Sequence, residues 1–191
     1  MKEINLYEIK EQAIRSGRMI FDSLSLSNLI GKKRDIAKVY ISRLVKTGLA
    51  RKLIRGKISF TDDEYIIATQ LFEPSYISLL SALNFHGLVL QIPKNIQCIN
   101  PKNTRTYHAL GVEYHKISRK LFFGYKTYKK GDSYIFVADK EKAVLDLLHL
   151  GQIEESFLKE VIKQLDTKIL LEYSKKFSKK IQKLVKEILK Q

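Results

Sequence analysis

The sequence predicts an α+β protein: an N-terminal winged helix-turn-helix, then a mixed α/β domain, then a C-terminal helical tail. Three observations predict it. The opening sixty or so residues give the order helix, short helix, basic helix, basic hairpin. Strand-like segments separated by turn residues fill the middle of the chain, between Asn95 and Val137. Toward the end, lysines alternate with apolar residues at helical spacing. The boundaries that follow are 1–61, 62–155 and 156–191.

Each element has a local reason. Leu6, Ile9, Ala13 and Ile14 recur at helical spacing, and Gly17 supplies a stop. Met19-Ile20-Phe21 is apolar and short, a brief strand. Ser23 or Ser25 caps a short helix through Leu26, Leu29 and Ile30 that ends at Gly31. A longer helix is expected over about 33–47, with Gly48 just beyond it. At 100° per residue its inward side carries Ala37, Tyr40, Ile41 and Leu44. Lys38, Val39, Ser42, Arg43 and Lys46 fall on the other side. Two β-compatible runs, 49–54 and 57–60, meet at Arg55-Gly56 and read as a hairpin.

The composition changes after Thr61. Asp62-Asp63-Glu64 opens a helix through Leu71, and Glu73-Pro74-Ser75 opens another through Ile77, Leu80, Leu83 and Leu88. Strands are expected at 95–99, 105–110, 112–117, 121–128 and 134–137. Asp139 caps a helix with Ala143, Val144, Leu147 and Leu148 on its apolar face, ending near Gly151. Two or three lysine-rich amphipathic helices follow, the last carrying Ile181, Leu184, Val185, Ile188 and Leu189.

Charge is the strongest compositional signal. Thirty-five Lys and Arg face twenty Asp and Glu, a net +15 in 191 residues. Residues 31–57 hold ten cations, namely Lys32, Lys33, Arg34, Lys38, Arg43, Lys46, Arg51, Lys52, Arg55 and Lys57, against Asp35 alone. A second cluster runs from Lys159 to Gln191, with ten lysines against four acids. The rest of the chain is nearly neutral, so two local patches carry the net charge. Such patches favour polyanionic partners. Apolar residues make up 45%, enough for a core. No run of eighteen apolar residues exists, and the first residues lack the apolar segment of a signal peptide, so no membrane association is expected. Cys98 is the only cysteine. A cytoplasmic location is expected.

Three stretches resemble a known family: SRLVKTGLARKLIRG at 42–56, PSYISLLSALNFHGL at 74–88 and VADKEKAVLDLL at 137–148. In order and spacing they are similar to the AbiE-type (AbiEi-like) antitoxins, transcriptional regulators of type IV toxin–antitoxin systems, over roughly residues 25–150. The resemblance implies an N-terminal winged helix that binds the promoter of its own operon. It also implies a C-terminal domain that opposes a cognate nucleotidyltransferase-like toxin. It does not extend past about residue 155, so the lysine-rich tail takes no role from it.

A helix fits the major groove of double-stranded DNA, where base edges can be told apart. On the 33–47 helix, Lys38, Ser42 and Arg43 are candidate readers, and Val39 either meets a thymine methyl or covers a neighbouring side chain. Lys32, Lys33, Arg34 and Lys46 suit phosphates. Arg51, Lys52, Arg55 and Lys57 suit the adjacent backbone or minor groove. Regulators of this class often occupy inverted repeats, which allows a homodimer on DNA, although no heptad seam announces a stable dimer.

Other chemistries are weaker in the sequence. His86, His108, His115 and His149 lack metal-ligand spacing, and no cysteine cluster assists them. His86 reads as a packed or capping residue, and Cys98 as a buried apolar filler. Asp139, Glu141 and Asp146 form the one acidic cluster that a metal-dependent nuclease would want. A cap at Asp139 and a dipole complement at Glu141 are the simpler roles. The sequence points to no catalytic residue, metal or cofactor. An RNA- or DNA-binding winged-helix protein without antitoxin activity is the alternative binding function.

Overall fold

A computed structural model describes residues 4–189 and is mixed α+β. It divides into two compact units. The first runs through Glu73 and takes in Tyr128–Ile135; the second holds Pro74–Thr127 and the chain from Phe136 onward.

In the first unit, α1 (Leu6–Arg15) starts at Asn5, whose side-chain oxygen accepts the Tyr7 N–H at 2.9 Å. After β1 (Ile20–Phe21) comes α2 (Ser23–Ile30). Its cap is Asp22, not Ser23 or Ser25. The Asp22 carboxylate accepts the Leu24 and Ser25 N–H groups at 3.0 and 2.8 Å, and the Ser25 hydroxyl accepts the Asp22 N–H at 2.8 Å. Ser25 therefore sits at the third helical position and closes a reciprocal capping box. The longer helix α3 (Arg34–Lys46) ends at Thr47. Strands β2 (Arg51–Ile54) and β3 (Lys57–Ser59) form an antiparallel hairpin, and β1 adds to β3 to give the order β1-β3-β2. Ile9, Ala13, Phe21, Leu26, Ala37, Tyr40, Leu44 and Ile58 make one core. Helix α4 (Glu64–Gln70) belongs to the same unit. Its Gln70 accepts the Met19 N–H at 2.8 Å and donates to the Ser133 hydroxyl at 2.9 Å.

The second unit opens with a departure from expectation. The segment predicted as one helix from Glu73 to Leu88 is a strand, β4 (Tyr76–Ile77), followed by a helix, α5 (Leu79–Phe85). Ile77 lies in mid-sheet, antiparallel to Cys98 and parallel to Val137, so both faces are covered and no alternation betrays the strand. Leu79 turns the chain sharply with φ 56, in the left-handed region that an aliphatic residue rarely enters. The sheet continues through β5 (Ile96–Asn100), β6 (Arg105–Tyr107), β7 (Val112–Lys116), β8 (Tyr125–Lys130) and β9 (Ser133–Ala138), in the order β6-β7-β5-β4-β9-β8. Two expected strands are shorter: His108–Leu110 and Arg119–Leu121 are 3-10 turns.

Helix α6 (Lys140–Leu150) packs on α5, α8 (Thr167–Ser174) and α9 (Lys179–Ile188), and α7 (Glu155–Ile162) lies between α6 and α8 in the chain. Asp139 holds the N-cap position of α6, but its side chain makes no capping bond. One carboxylate oxygen accepts the Tyr173 hydroxyl at 3.0 Å and the other meets Lys126 at 3.0 Å. The tertiary partners outcompete the cap. His86 is the C-cap of α5, with its Nε2 2.7 Å from the Ala138 carbonyl oxygen. Among the described residues, no helix is long and apolar enough to cross a membrane.

Candidate functional site

Three cations of the basic segment, Lys38, Lys52 and Lys57, line one groove, whereas Arg43 lines a separate depression with Ile4, Asn5 and Leu6. Burial of Ala37, Tyr40 and Leu44 fixes the rotation of α3 and turns Lys38, Val39, Ser42, Arg43 and Lys46 to the outside. Val39 is half exposed, at 50%, an apolar side chain on an otherwise polar face. The hairpin stands beside this face. A groove of about 280 Å³ runs between them, with Lys38 and Ser42 on the helix side and Lys52, Gly56 and Lys57 on the hairpin side. Ile41, Val45 and Ile58 also line it. Ile41, expected to point wholly inward, is half-buried at the groove. At the hairpin tip Gly56 has φ 79, a conformation that glycine adopts without strain, and this leaves Arg55 exposed.

The cations differ in how far their neighbours occupy them. Lys38 donates to Asp35 at 2.8 Å, and that hydrogen bond and the ammonium charge hold the Asp35 carboxyl below its ordinary range. The Arg34 guanidinium donates to the Ser23 hydroxyl at 2.8 Å. Arg43 lies over the Tyr40 ring at 5.9 Å. Arg51 meets Asp62 at 3.3 Å, an exposed pair worth little. Lys57 is turned inward: its ammonium donates to the Leu71 carbonyl at 2.6 Å and lies 5.8 Å from the Phe72 ring centre. Lys32 is half-buried at the end of α2. Lys33, Lys46, Lys52 and Arg55 are exposed and have no carboxylate partner among the described residues. Residues 31–57 hold ten cations to one acid, so even with Arg51 paired to Asp62 the surface has an excess of positive charge, suited to an extended anion.

The residues considered for catalysis lie apart from this surface in sequence and have partners of their own. Cys98 is fully buried on β5, and burial pushes its thiol far above the usual range, which makes it unreactive. His115 lies 3.4 Å from Glu113. Among the described residues, no group of three or more His, Cys, Asp and Glu could hold a metal ion. Glu141 accepts the Asp166 backbone N–H at 2.8 Å. Asp146 is fully buried and bonded to Lys142, which is equally buried. The Tyr76 and Ser78 hydroxyls donate to Asp146 at 3.1 and 2.8 Å, and Lys142 also donates to the Tyr76 oxygen at 2.9 Å. The Tyr76, Phe123 and Phe177 rings surround the Lys142 ammonium at 5.2–5.4 Å. Burial lowers the Lys142 pKa and raises that of Asp146. The sequence contained one sign of this cluster, an i,i+4 Lys–Asp pair inside an apolar helix.

No protein-family model matches the chain, and no curated protein matches it in sequence. A solved structure is similar in fold: the RV2827C protein of Mycobacterium tuberculosis, at 13% identity and a TM-score of 0.57. The likeness covers 100% of this chain and 78% of the other. At that identity what the two share is the fold.

Proposed function

We propose that the first unit is a winged helix-turn-helix that binds double-stranded DNA, and that the protein is a transcriptional regulator. The observation that carries this reading is the single groove shared by the outward face of α3 and the basic hairpin. Helix α3 enters the major groove, with Lys38, Ser42 and Arg43 reaching base edges and Val39 toward a thymine methyl. Lys32, Lys33, Arg34 and Lys46 meet phosphates at its two ends. The β2–β3 hairpin is the wing, with Arg51, Lys52 and Arg55 along the neighbouring backbone or minor groove. Lys57, held by Leu71, braces the hairpin and adds its charge to the groove wall.

The resemblance to AbiE-type antitoxins extends the reading. The protein represses its own operon, as a homodimer where the operator is an inverted repeat, and opposes a nucleotidyltransferase-like toxin encoded beside it. Binding is favoured over nuclease chemistry because Asp139, Glu141 and Asp146 each serve a different protein partner.

The test is a gel shift with the duplex upstream of the protein's own reading frame and a scrambled duplex. Lys38→Ala with Arg43→Ala abolishes the sequence-specific shift while circular dichroism stays unchanged. About six phosphates neutralised by the first unit contribute about −5 to the slope of log affinity against log salt. Unchanged specific binding by the double variant removes α3 from the reading. Equal affinity of the wild type for both duplexes and for RNA favours a general nucleic-acid binder.

A further inference from the structure

The second unit carries its own cationic surface. Lys175, Lys176, Lys179, Lys180, Lys183 and Lys186 are six lysines with no acid between the first and the last, and all six are exposed. Helix α9 turns Ile181, Val185 and Ile188 inward, which aligns Lys179, Lys183 and Lys186 on its outer face at i, i+4 and i+7. At a rise of about 1.5 Å per residue they form a row about 10 Å long. Together with Gln182 and Glu187 they line a shallow depression. Only Lys183 among these three has a carboxylate partner in the described residues, Glu187 at 3.7 Å, and both side chains are mostly exposed.

An ordinary solvated helix face mixes charges of both signs and places acids in its first turn. Here the first turn of α9 has no acid and begins Lys179-Lys180, against the helix dipole. The Lys179–Lys183 pair sets like charges one turn apart. Both features are unfavourable in the isolated fold and become favourable once an external polyanion lies along the row.

We propose that the outer face of α9 is a second, sequence-independent anchor for the phosphodiester backbone of duplex DNA. The proposal rests on the reading of the protein as a DNA binder and adds a contact made by the other unit. A phosphodiester fits this face better than the other polyanions do. An anionic bilayer would hold three lysines only weakly without an inserted apolar face, and that of α9 is consumed by the core. A protein partner requires aromatic or apolar anchors, whereas the row presents point charges alone.

The test uses the full chain carrying Lys179→Gln, Lys183→Gln and Lys186→Gln, beside Lys38→Ala with Arg43→Ala. Each is titrated with random-sequence duplex over a range of salt, and with vesicles containing phosphatidylserine and with polyglutamate. The tail variant keeps its helical spectrum, and its salt slope on duplex is shallower by about 2 to 3, from roughly 0.9 per lost phosphate contact. Its preference for the upstream duplex over random sequence persists. An unchanged slope and affinity overturns the second anchor while leaving the α3 reading intact. Loss of specificity in the α3 variant alone, together with the shallower slope of the tail variant, supports both. Wild-type protein that binds vesicles or polyglutamate but no duplex overturns both.

Discussion

Replacing Lys142 by Met removes one charge from a fully buried pair and nearly preserves the volume of the stem. Asp146 then keeps two hydroxyl donors, from Tyr76 and Ser78, but no counter-charge. Breaking a buried pair from one side costs about 3–5 kcal/mol. The surviving hydroxyl bonds place this case toward about 3 kcal/mol, to which the lost contacts with the Tyr76, Phe123 and Phe177 rings add. With a urea dependence of about 2 kcal/mol per molar, the unfolding midpoint falls by about 1.5–2.5 M. Adding Asp146→Asn removes the stranded charge while its amide oxygen still accepts from the hydroxyls, and recovers more than half of the loss. The pH dependence gives an independent readout. Burial raises the pKa of Asp146 in the folded protein, more so without Lys142, so folding takes up a proton. The stabilising contribution of the protonated form is therefore complete below the unfolded carboxyl range, about 3.9, and is lost as pH rises through the folded value. The deficit of the Lys142→Met variant is accordingly smaller at pH 5 than at pH 8. A variant within about 1 kcal/mol of wild type at pH 7, or a double variant whose loss is the sum of the two single losses, would refute the assignment of a coupled buried ion pair.

Two further outcomes are expected. Gly124 has φ 71, and a Cβ there would lie 3.0 Å from the Tyr173 ring and 3.1 Å from the Lys142 stem; Gly124→Ala thus combines left-handed strain with overpacking and lowers stability by about 2–4 kcal/mol in urea unfolding. Gly111→Ala, at φ 61 with nothing within 4 Å of the added Cβ, loses only about 1–2 kcal/mol, and equal losses at the two sites would contradict the packing argument. Asp35→Asn removes the sole acid among ten cations and releases the Lys38 ammonium, so the affinity for duplex DNA rises several-fold in a fluorescence titration at fixed salt; weaker binding would mean that Asp35 orients Lys38 for contact.

The elements with a clear period were legible in the sequence. The inward residues Ala37, Tyr40 and Leu44 and the outward Lys38, Ser42 and Arg43 followed from the 100° rotation of α3, and glycine at position 56 marked the hairpin tip. The apolar stripe of α9 was equally plain. What escaped has no local signature. Strand β4 is two residues long, too short for alternation, and the left-handed Leu79 beside it is chosen by tertiary packing against its own propensity. Asp22 holds the cap expected of Ser23 or Ser25 because its carboxylate accepts two backbone N–H groups, and Ser25 serves instead as the reciprocal partner three residues on. The attachment of residues 128–135 to the first unit depends on bonds such as Gln70 to Ser133, sixty-three positions apart. At the candidate site, the outward face of α3 was legible, but the direction of Lys57 was not, since its acceptor is a backbone carbonyl fourteen residues away.

Helices α3 and α6 carry similar residue types to opposite ends, and pairing separates them. On α6, Glu141, Lys142 and Asp146 are buried, and each meets a backbone donor, an ion or a hydroxyl; no buried side-chain nitrogen or oxygen among the described residues lacks a partner. Removal from water would otherwise be prohibitive, so these charges are spent on the interior, and an acidic cluster that looks catalytic in sequence is a set of structural joints. On α3 and its hairpin most of the charges stay in water and outnumber their counter-ions, and Lys38, Lys52 and the inward-turned Lys57 line one groove. Surface cations of this density add little to the fold, since their mutual repulsion opposes it. The proposed binding of DNA would account for their concentration in one 27-residue stretch, and Lys33, Lys46, Lys52 and Arg55, exposed and without a carboxylate partner among the described residues, are the side chains with which such contacts would begin.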